Sequence, residues 1–171
     1  MRWMTRFISV IGSGLIALGM PTIALAAPLD NVSGPPVQAK AAELMDASSG
    51  QVLYAYHAQK KLPMASVTKL MTLYLAVKAV QSHRLSLQSM VPADDDAFRT
   101  GGSQIWLRPG EQLTVNQLLT AIAVGSANDA AVALGDYLAG SPQAFVHLMN
   151  QTAASLGMKD THFVNPHGLH D

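Results

Sequence analysis

Residues 70–77 read Leu-Met-Thr-Leu-Tyr-Leu-Ala-Val, apolar at nearly every position. A segment apolar all round belongs in an interior rather than on a surface, so the pattern predicts a buried helix from Ser66 to about Gln81. Upstream lie two short runs, 41–45 and 52–56, separated by Asp46-Ala47-Ser48-Ser49-Gly50. Turn formers between two strand-length runs predict an antiparallel hairpin. Downstream, residues 85–91 fit a short strand, 94–102 a loop, and 104–107 an extended stretch. The Pro-Gly pair of Arg108-Pro109-Gly110-Glu111 then suits a type II turn. Thr114 and Gln117 make a capping-box pattern. Val115, Leu118, Leu119, Ile122 and Ala123 keep helical spacing from there to Gly125. A second helix over 129–138 is stopped by Gly140. A third starts at Ser141-Pro142, with proline at its favoured first position, and runs to about Leu156 before Gly157. The predicted order is the start of a sheet, a buried helix, then a cluster of helices.

The N-terminus reads differently. Arg2 and Arg6 precede an apolar run over 7–20, then Pro21 and Ala24-Leu25-Ala26. A basic start, a short hydrophobic core and small residues at an A-x-A site describe a secretory signal peptide over 1–26. The run is short for a membrane span and is interrupted by Gly12 and Gly14, which leaves an uncleaved anchor as the weaker alternative. Residues 27–39 form a linker, with Gly, Pro and Ser between Asn31 and Pro36, and 40–171 have the length of one domain. The expected location is exported: periplasmic, or otherwise on the cell-wall face of the membrane.

Composition narrows the chemistry. The chain has no cysteine, which removes disulfides and thiol catalysis. Its 11 basic and 11 acidic residues balance, without a Lys/Arg cluster, which argues against nucleic acid as a partner. Lys60-Lys61 and Asp94-Asp95-Asp96 are short enough to be solvated turns. His162, His167, His170 and Asp171 match no familiar zinc spacing and read as surface or loop residues, so no metal or cofactor is expected. Met64, Met71, Met90, Met149 and Met158 are expected to fill gaps in the core. Trp106 fits either a hairpin core or the lining of a cleft.

The candidate chemistry lies at the head of the buried helix, in Ser66-Val67-Thr68-Lys69. Residues three apart share a helix face, so the lysine amine can reach the serine hydroxyl. A lysine at the mouth of an apolar helix loses hydration, which lowers its pKa and makes it a usable base. A serine beside such a base becomes a nucleophile. Taken singly, the motif also fits an N-capping serine and a lysine snorkelling to water. What favours catalysis is a second motif, Ser126-Ala127-Asn128, again at a helix boundary.

Whole blocks of the chain resemble the low-molecular-mass penicillin-binding proteins, the serine D-alanyl-D-alanine carboxypeptidases. The block from Pro63 to Thr72 resembles the family's nucleophile helix, and the block from Gly102 to Glu111 its central hairpin. Ser126-Ala127-Asn128-Asp129-Ala130 resembles its second motif, and Asn165-Pro166-His167-Gly168-Leu169 the segment beyond its helical cluster. The resemblance implies an α/β (α+β) fold of the β-lactamase and transpeptidase kind, an antiparallel sheet packed with helices plus an all-helical subdomain. It implies Ser66 as nucleophile and Lys69 as its base, Ser126 as the proton donor to the departing amine, and Asn128 as the residue that holds the substrate amide and helps position Lys69. The implied partners are a peptidoglycan stem peptide ending in D-Ala-D-Ala and β-lactams as covalent inhibitors. Membrane attachment is not readable.

The family's third motif, Lys-Thr-Gly on a later strand, does not occur before Asp171. The expectation is therefore residues 40–171 as part of a catalytic domain, with the C-terminal strands of the sheet missing. Arg99-Thr100-Gly101 is the nearest look-alike and reads as a turn. Within the same chemistry the alternatives are a D,D-endopeptidase or a class A β-lactamase. The latter needs an additional glutamate that no residue after Ser126 obviously supplies. Outside that chemistry, the alternative is an inactive penicillin-binding fragment.

Overall fold

A computed structural model describes residues 36–169. The expected signal peptide (1–26), most of the expected linker (27–39), His170 and Asp171 lie outside the described residues. The chain divides into two compact units at Lys60, which are built by different means.

The first is the hairpin. β1 (Ala42–Met45) pairs antiparallel with β2 (Val52–Tyr56), Ala42 opposite Tyr56 and Leu44 opposite Tyr54. Asp46 organises the turn, its Oδ1 accepting from the hydroxyls of Ser48 and Ser49 at 2.7 Å and from their amides at 3.2 and 2.8 Å. Donors gathered on one oxygen favour the ionised form. The Ser49 hydroxyl leads in holding the Asp46 carboxyl down at about 2.

The second unit starts with a 3₁₀ turn, Ala65–Thr68, that runs into α1 (Lys69–Gln81). β3 (Met90–Pro92), α2 (Asp95–Arg99), β4 (Gln112–Thr114), α3 (Val115–Gly125), α4 (Asn128–Ala139) and α5 (Pro142–Ser155) follow. β3 and β4 form a second antiparallel ladder, Val91 opposite Leu113. The expected helix boundaries hold closely. Thr114 and Gln117 close a full capping box, Ser141 Oγ accepts from Ala144 N at 3.1 Å with Pro142 at the helix start, and α4 closes at Gly140. The Arg108–Glu111 turn also holds, with Gly110 at φ +82° and Glu111 N donating to Arg108 O at 2.9 Å.

α4 is the hub. Its run Ala130-Ala131-Val132-Ala133-Leu134 is buried, and α1, α2, α3, α5 and β3 all pack on it. Small side chains let so many elements approach one helix. At Gly135 the approach is closest, since a Cβ there would lie 2.6 Å from the Phe145 ring of α5. One face of α1 (Ala76, Ala79) joins the core with Leu118 and Ile122 of α3. The adjoining face (Met71, Leu75) packs with Phe145, Met149, Ala153 and Phe163.

Four expectations need correction. α1 is not buried all round, because Leu70, Tyr74 and Val77 form a third, exposed face, with Leu70 at 65%. Residues 94–102 are not simply a loop. They contain α2, whose N-cap Asp94 accepts from Ala97 N at 2.8 Å, with carboxylates at its start and Arg99 at its end. That charge order suits the helix dipole, but one turn is too short to show an apolar period. Residues 104–107 form no strand, and Trp106, at φ +64° and 77% exposed, is no core residue. Of the methionines, Met71 and Met149 fill the core, whereas Met64, Met90 and Met158 are at the surface. Among the described residues no helix is long and apolar enough to cross a membrane.

The contact of α2 with α4 contains an acidic pair. Asp136 Oδ2 is buried without a hydrogen-bond donor, and the polar group facing it is the Asp94 carboxyl. Only a proton shared between the two turns that contact into a hydrogen bond. Loss of hydration, then the charge of Asp94 and its hydrogen bond, then the charge of Asp96, push the Asp136 carboxyl up to about 7 from its ordinary 3.8. The folded chain therefore holds a proton that the unfolded chain has lost. Its stabilising effect is complete below about pH 4 and disappears as pH rises through about 7. Thermal melts from pH 4 to 8 should show a fall that Asp136→Asn flattens, the variant being the more stable at pH 8. Parallel curves for the two proteins would contradict this account.

Candidate active site

The 3₁₀ turn begins at Ala65, at φ +47°, and has no side-chain cap. It leaves Ser66 exposed and brings Lys69 in as the first residue of α1, where it is only 3% exposed. Lys69 Nζ lies 3.1 Å from Ser66 Oγ and 3.2 Å from the His167 carbonyl oxygen. Burial strips water from the ammonium and lowers the Lys69 pKa from 10.5. A hydroxyl against a dehydrated amine is the arrangement of a nucleophile with its base.

The carbonyl that orients Lys69 comes from a segment whose role the sequence did not disclose. Asn165 Oδ1 accepts from the amides of His167 (3.2 Å) and Gly168 (2.6 Å), and its Nδ2 donates to Leu169 O at 2.8 Å. Thr72 Oγ1, fully buried one turn beyond Lys69, donates to Pro166 O at 2.7 Å. Further back, the Asn150 side chain both donates to Phe163 O and accepts from Phe163 N, at 2.8 Å each. Gly168 lies at φ +80°, and a Cβ there would fall 2.5 Å from Thr68 Oγ1 and against the Ala65 carbonyl. Only glycine fits both the backbone angle and the space. The block Asn165-Pro166-His167-Gly168 is thus a clamp on the Ser66 turn.

Ser126 and Asn128 lie at the junction of α3 and α4. Ser126 closes α3 in the left-handed region, φ +54°, and Asn128 opens α4. Asn128 N donates to Ser103 O and its Nδ2 to Gly101 O, both at 2.7 Å. Gly102 comes so near that a Cβ would lie 2.6 Å from Asn128 Nδ2. Among the described residues the Ser126 hydroxyl has no hydrogen-bond partner, and no hydrogen bond joins Asn128 to Lys69. The structure therefore brings Ser66 and Lys69 together directly, while Asn128 holds the 101–103 loop. The Arg99-Thr100-Gly101 look-alike supplies the carbonyl that Asn128 binds.

Asp129 was overlooked. Buried beside Asn128, its carboxylate accepts from Ile105 N (3.1 and 3.2 Å), Leu107 N (3.0 Å) and Ala130 N (2.8 Å). It clasps the backbone on both sides of Trp106, whose positive φ costs about 1–3 kcal/mol for a bulky residue. The signal was its place one residue after Asn128, directly before the small apolar run Ala130-Ala131-Val132-Ala133.

A serine–lysine pair at the head of a helix packed on a helical cluster is the architecture of a penicillin-binding protein, and solved structures agree. The D-alanyl-D-alanine carboxypeptidase DacD from Francisella tularensis superposes with a TM-score of 0.78 at 35% identity, over 90% of this chain and 37% of that one. Penicillin-binding protein D2 from Listeria monocytogenes, in its ampicillin-bound form, gives 0.70 at 34% identity, over 80% and 56%. The D-alanyl-D-alanine carboxypeptidase DacF of Bacillus subtilis is 42% identical over 132 residues, 77% of this chain and 34% of the relative. The profile of the D-alanyl-D-alanine carboxypeptidase family, peptidase S11, matches residues 29–171, and the chain belongs to that family. It spans about a third of the length of the curated relative.

The clamp can be tested apart from any activity. Thr72→Val keeps the volume but leaves the Pro166 carbonyl without its buried donor, an expected loss of about 1–3 kcal/mol by denaturant unfolding. Gly168→Ala should be the worse of the two. A Thr72→Val protein as stable as the parent would show that the clamp does not depend on this bond.

Proposed function

We propose that this chain carries the nucleophile of a serine-type D-alanyl-D-alanine carboxypeptidase, which removes the terminal D-alanine from peptidoglycan stem peptides. The observation that carries the reading is the 3.1 Å approach of a buried, dehydrated Lys69 to Ser66 Oγ. Ser66 Oγ attacks the carbonyl carbon between the two D-alanines as Lys69 takes its proton. The negative charge on the carbonyl oxygen is met by the Ser66 amide at the start of its turn. As the C–N bond breaks, Ser126 gives its proton to the departing amine and regains one from the Lys69 ammonium, and D-alanine leaves with Lys69 neutral again. Asn128 binds the amide of the stem peptide. Water then cleaves the serine ester, its oxygen going to the acyl carbon and one of its protons passing through Lys69 to Ser66 Oγ, and the shortened peptide leaves.

Residues 40–171 are read as part of a catalytic domain, with 1–26 as a signal peptide and 27–39 as a linker. This places the enzyme outside the cytoplasm, on the side where peptidoglycan lies. β-Lactams are read as acylating the same serine. The ampicillin-bound relative and the carboxypeptidase names of the others support both parts of the reading.

Intact mass after incubation with a β-lactam provides the test. One adduct per chain is expected, absent in Ser66→Ala. Because burial lowers the pKa of Lys69, its neutral form appears below the ordinary 10.5. The rate of adduct formation should therefore rise with pH and level off before that value. Lys69→Ala should slow it by about 10²–10⁴-fold. An adduct that persists in Ser66→Ala would remove Ser66 from the mechanism. A rate insensitive to Lys69→Ala would remove the base.

A further inference from the structure

Lys69 and Thr72 are three residues apart on α1 and share a face, about 4.5 Å apart along the helix axis. They donate to successive carbonyls of one segment, Lys69 Nζ to His167 O at 3.2 Å and Thr72 Oγ1 to Pro166 O at 2.7 Å. Consecutive Cα atoms of a chain are about 3.8 Å apart, so a segment running against the direction of α1 meets both donors with neighbouring carbonyls. Thr72 spends its hydroxyl in an unusual way. A helical threonine commonly returns it to the carbonyl one turn back. Thr120 of α3 does so, donating to Asn116 O at 2.8 Å. Thr72, fully buried, donates instead to a carbonyl 94 residues away. Packing alone would be served by a valine of the same volume. Pro166 is buried as well, and its ring fixes the backbone angle that aims the carbonyl.

The elements packed on α1 bring few charges to this face. The Ser66 turn and α3 have no ionisable side chain, α4 has Asp129, Asp136 and Tyr137, and α5 has His147. Among the described residues none of these forms an ion pair with Lys69. On α1 itself the Lys78 amine lies over the Tyr74 ring, 5.4 Å from its centre. In the segment, His167 Nδ1 accepts from Leu169 N at 3.1 Å. What Lys69 is separated from is water, and loss of hydration is what lowers its pKa. We propose that Thr72 is a positioning residue of the acyl-transfer site, its bond to Pro166 pinning the 166–167 peptide across Lys69 as the cover that keeps water from the amine. The inference rests on the reading of Lys69 as the base. It adds a residue that touches neither the serine nor the substrate.

Carbon-13 at the lysine ε position reports each amine's titration by NMR without turnover, and Lys69 is assigned by its missing signal in Lys69→Arg. In the full chain Lys69 should titrate below the ordinary 10.5. Thr72→Val keeps the volume but lacks the donor, and should move that midpoint up towards 10.5 as water reaches the amine. Thr72→Ser keeps the hydroxyl and should hold the parent's midpoint. β-Lactam adduct formation should follow the same order, with Thr72→Val slowed roughly threefold to thirtyfold at pH 7 and recovering as pH rises. A purely structural threonine would lower the melting temperature of Thr72→Val and leave the Lys69 midpoint in place. That result would overturn the proposal, as would a Thr72→Ser midpoint displaced as far as that of Thr72→Val. If Thr72→Val does not fold, Asn165→Ala decides. It frees the same peptide from its half-exposed side by removing the acceptor of the His167 and Gly168 amides, and an unmoved Lys69 midpoint there is equally fatal. A Ser66 adduct with an unmoved midpoint would sink the role of Thr72 alone. A displaced midpoint without an adduct would sink the peptidoglycan reading alone.

Discussion

Lysine hydration is the quantity on which this structure turns. An ammonium in water is a poor base and a well-solvated surface group. The same group at 3% exposure, with one carbonyl and one hydroxyl as its partners, is held closer to its neutral form. Burying it requires walls on every side. α4 supplies one through its small residues, which let α1 pack close. The 165–168 segment supplies another by laying the His167 carbonyl over the amine. Thr72, Asn150 and Gly168 act on Lys69 only through that segment, and each is fitted to it by a specific bond or a specific lack of volume.

A second anchoring point lies at the start of α4. Asn128 and Asp129 are consecutive, yet they bind different parts of one loop. Asn128 holds Gly101 and Ser103, and Asp129 holds Ile105 and Leu107. One helix start therefore fixes the whole 101–107 stretch, including the strained Trp106. This explains how a loop without strand pairing keeps a defined form, since four of its backbone groups are satisfied by two residues. The acidic contact between Asp94 and Asp136 fastens the same region at the other end, where α2 meets α4.

What could be read in advance followed from local physics. The hairpin turn at Asp46, the capping box at Thr114, the Pro142 start, the Gly140 stop and the Pro-Gly turn each depend on a few neighbouring residues. The Ser66–Lys69 contact was legible for the same reason, because one helical turn sets its reach. α2 was missed because a single turn shows no period. The exposed face of α1 was missed because an apolar residue does not say whether anything covers it, and Leu70 and Val77 are as hydrophobic as their buried neighbours.

The sequence by itself thus determined where chain segments begin and end, which serine faces which lysine, and which family the motifs resemble. The tertiary structure decided the rest, because the remaining contacts join residues far apart in the chain. Lys69 to His167, Thr72 to Pro166, Asn128 to Gly101 and Asp129 to Leu107 are bonds between a side chain and a distant backbone group. A carbonyl or amide looks the same at every position of a sequence. Only packing around α4 selects which of them meets which side chain, and with that choice come the lowered pKa of Lys69, the raised pKa of Asp136 and the outward-facing Trp106.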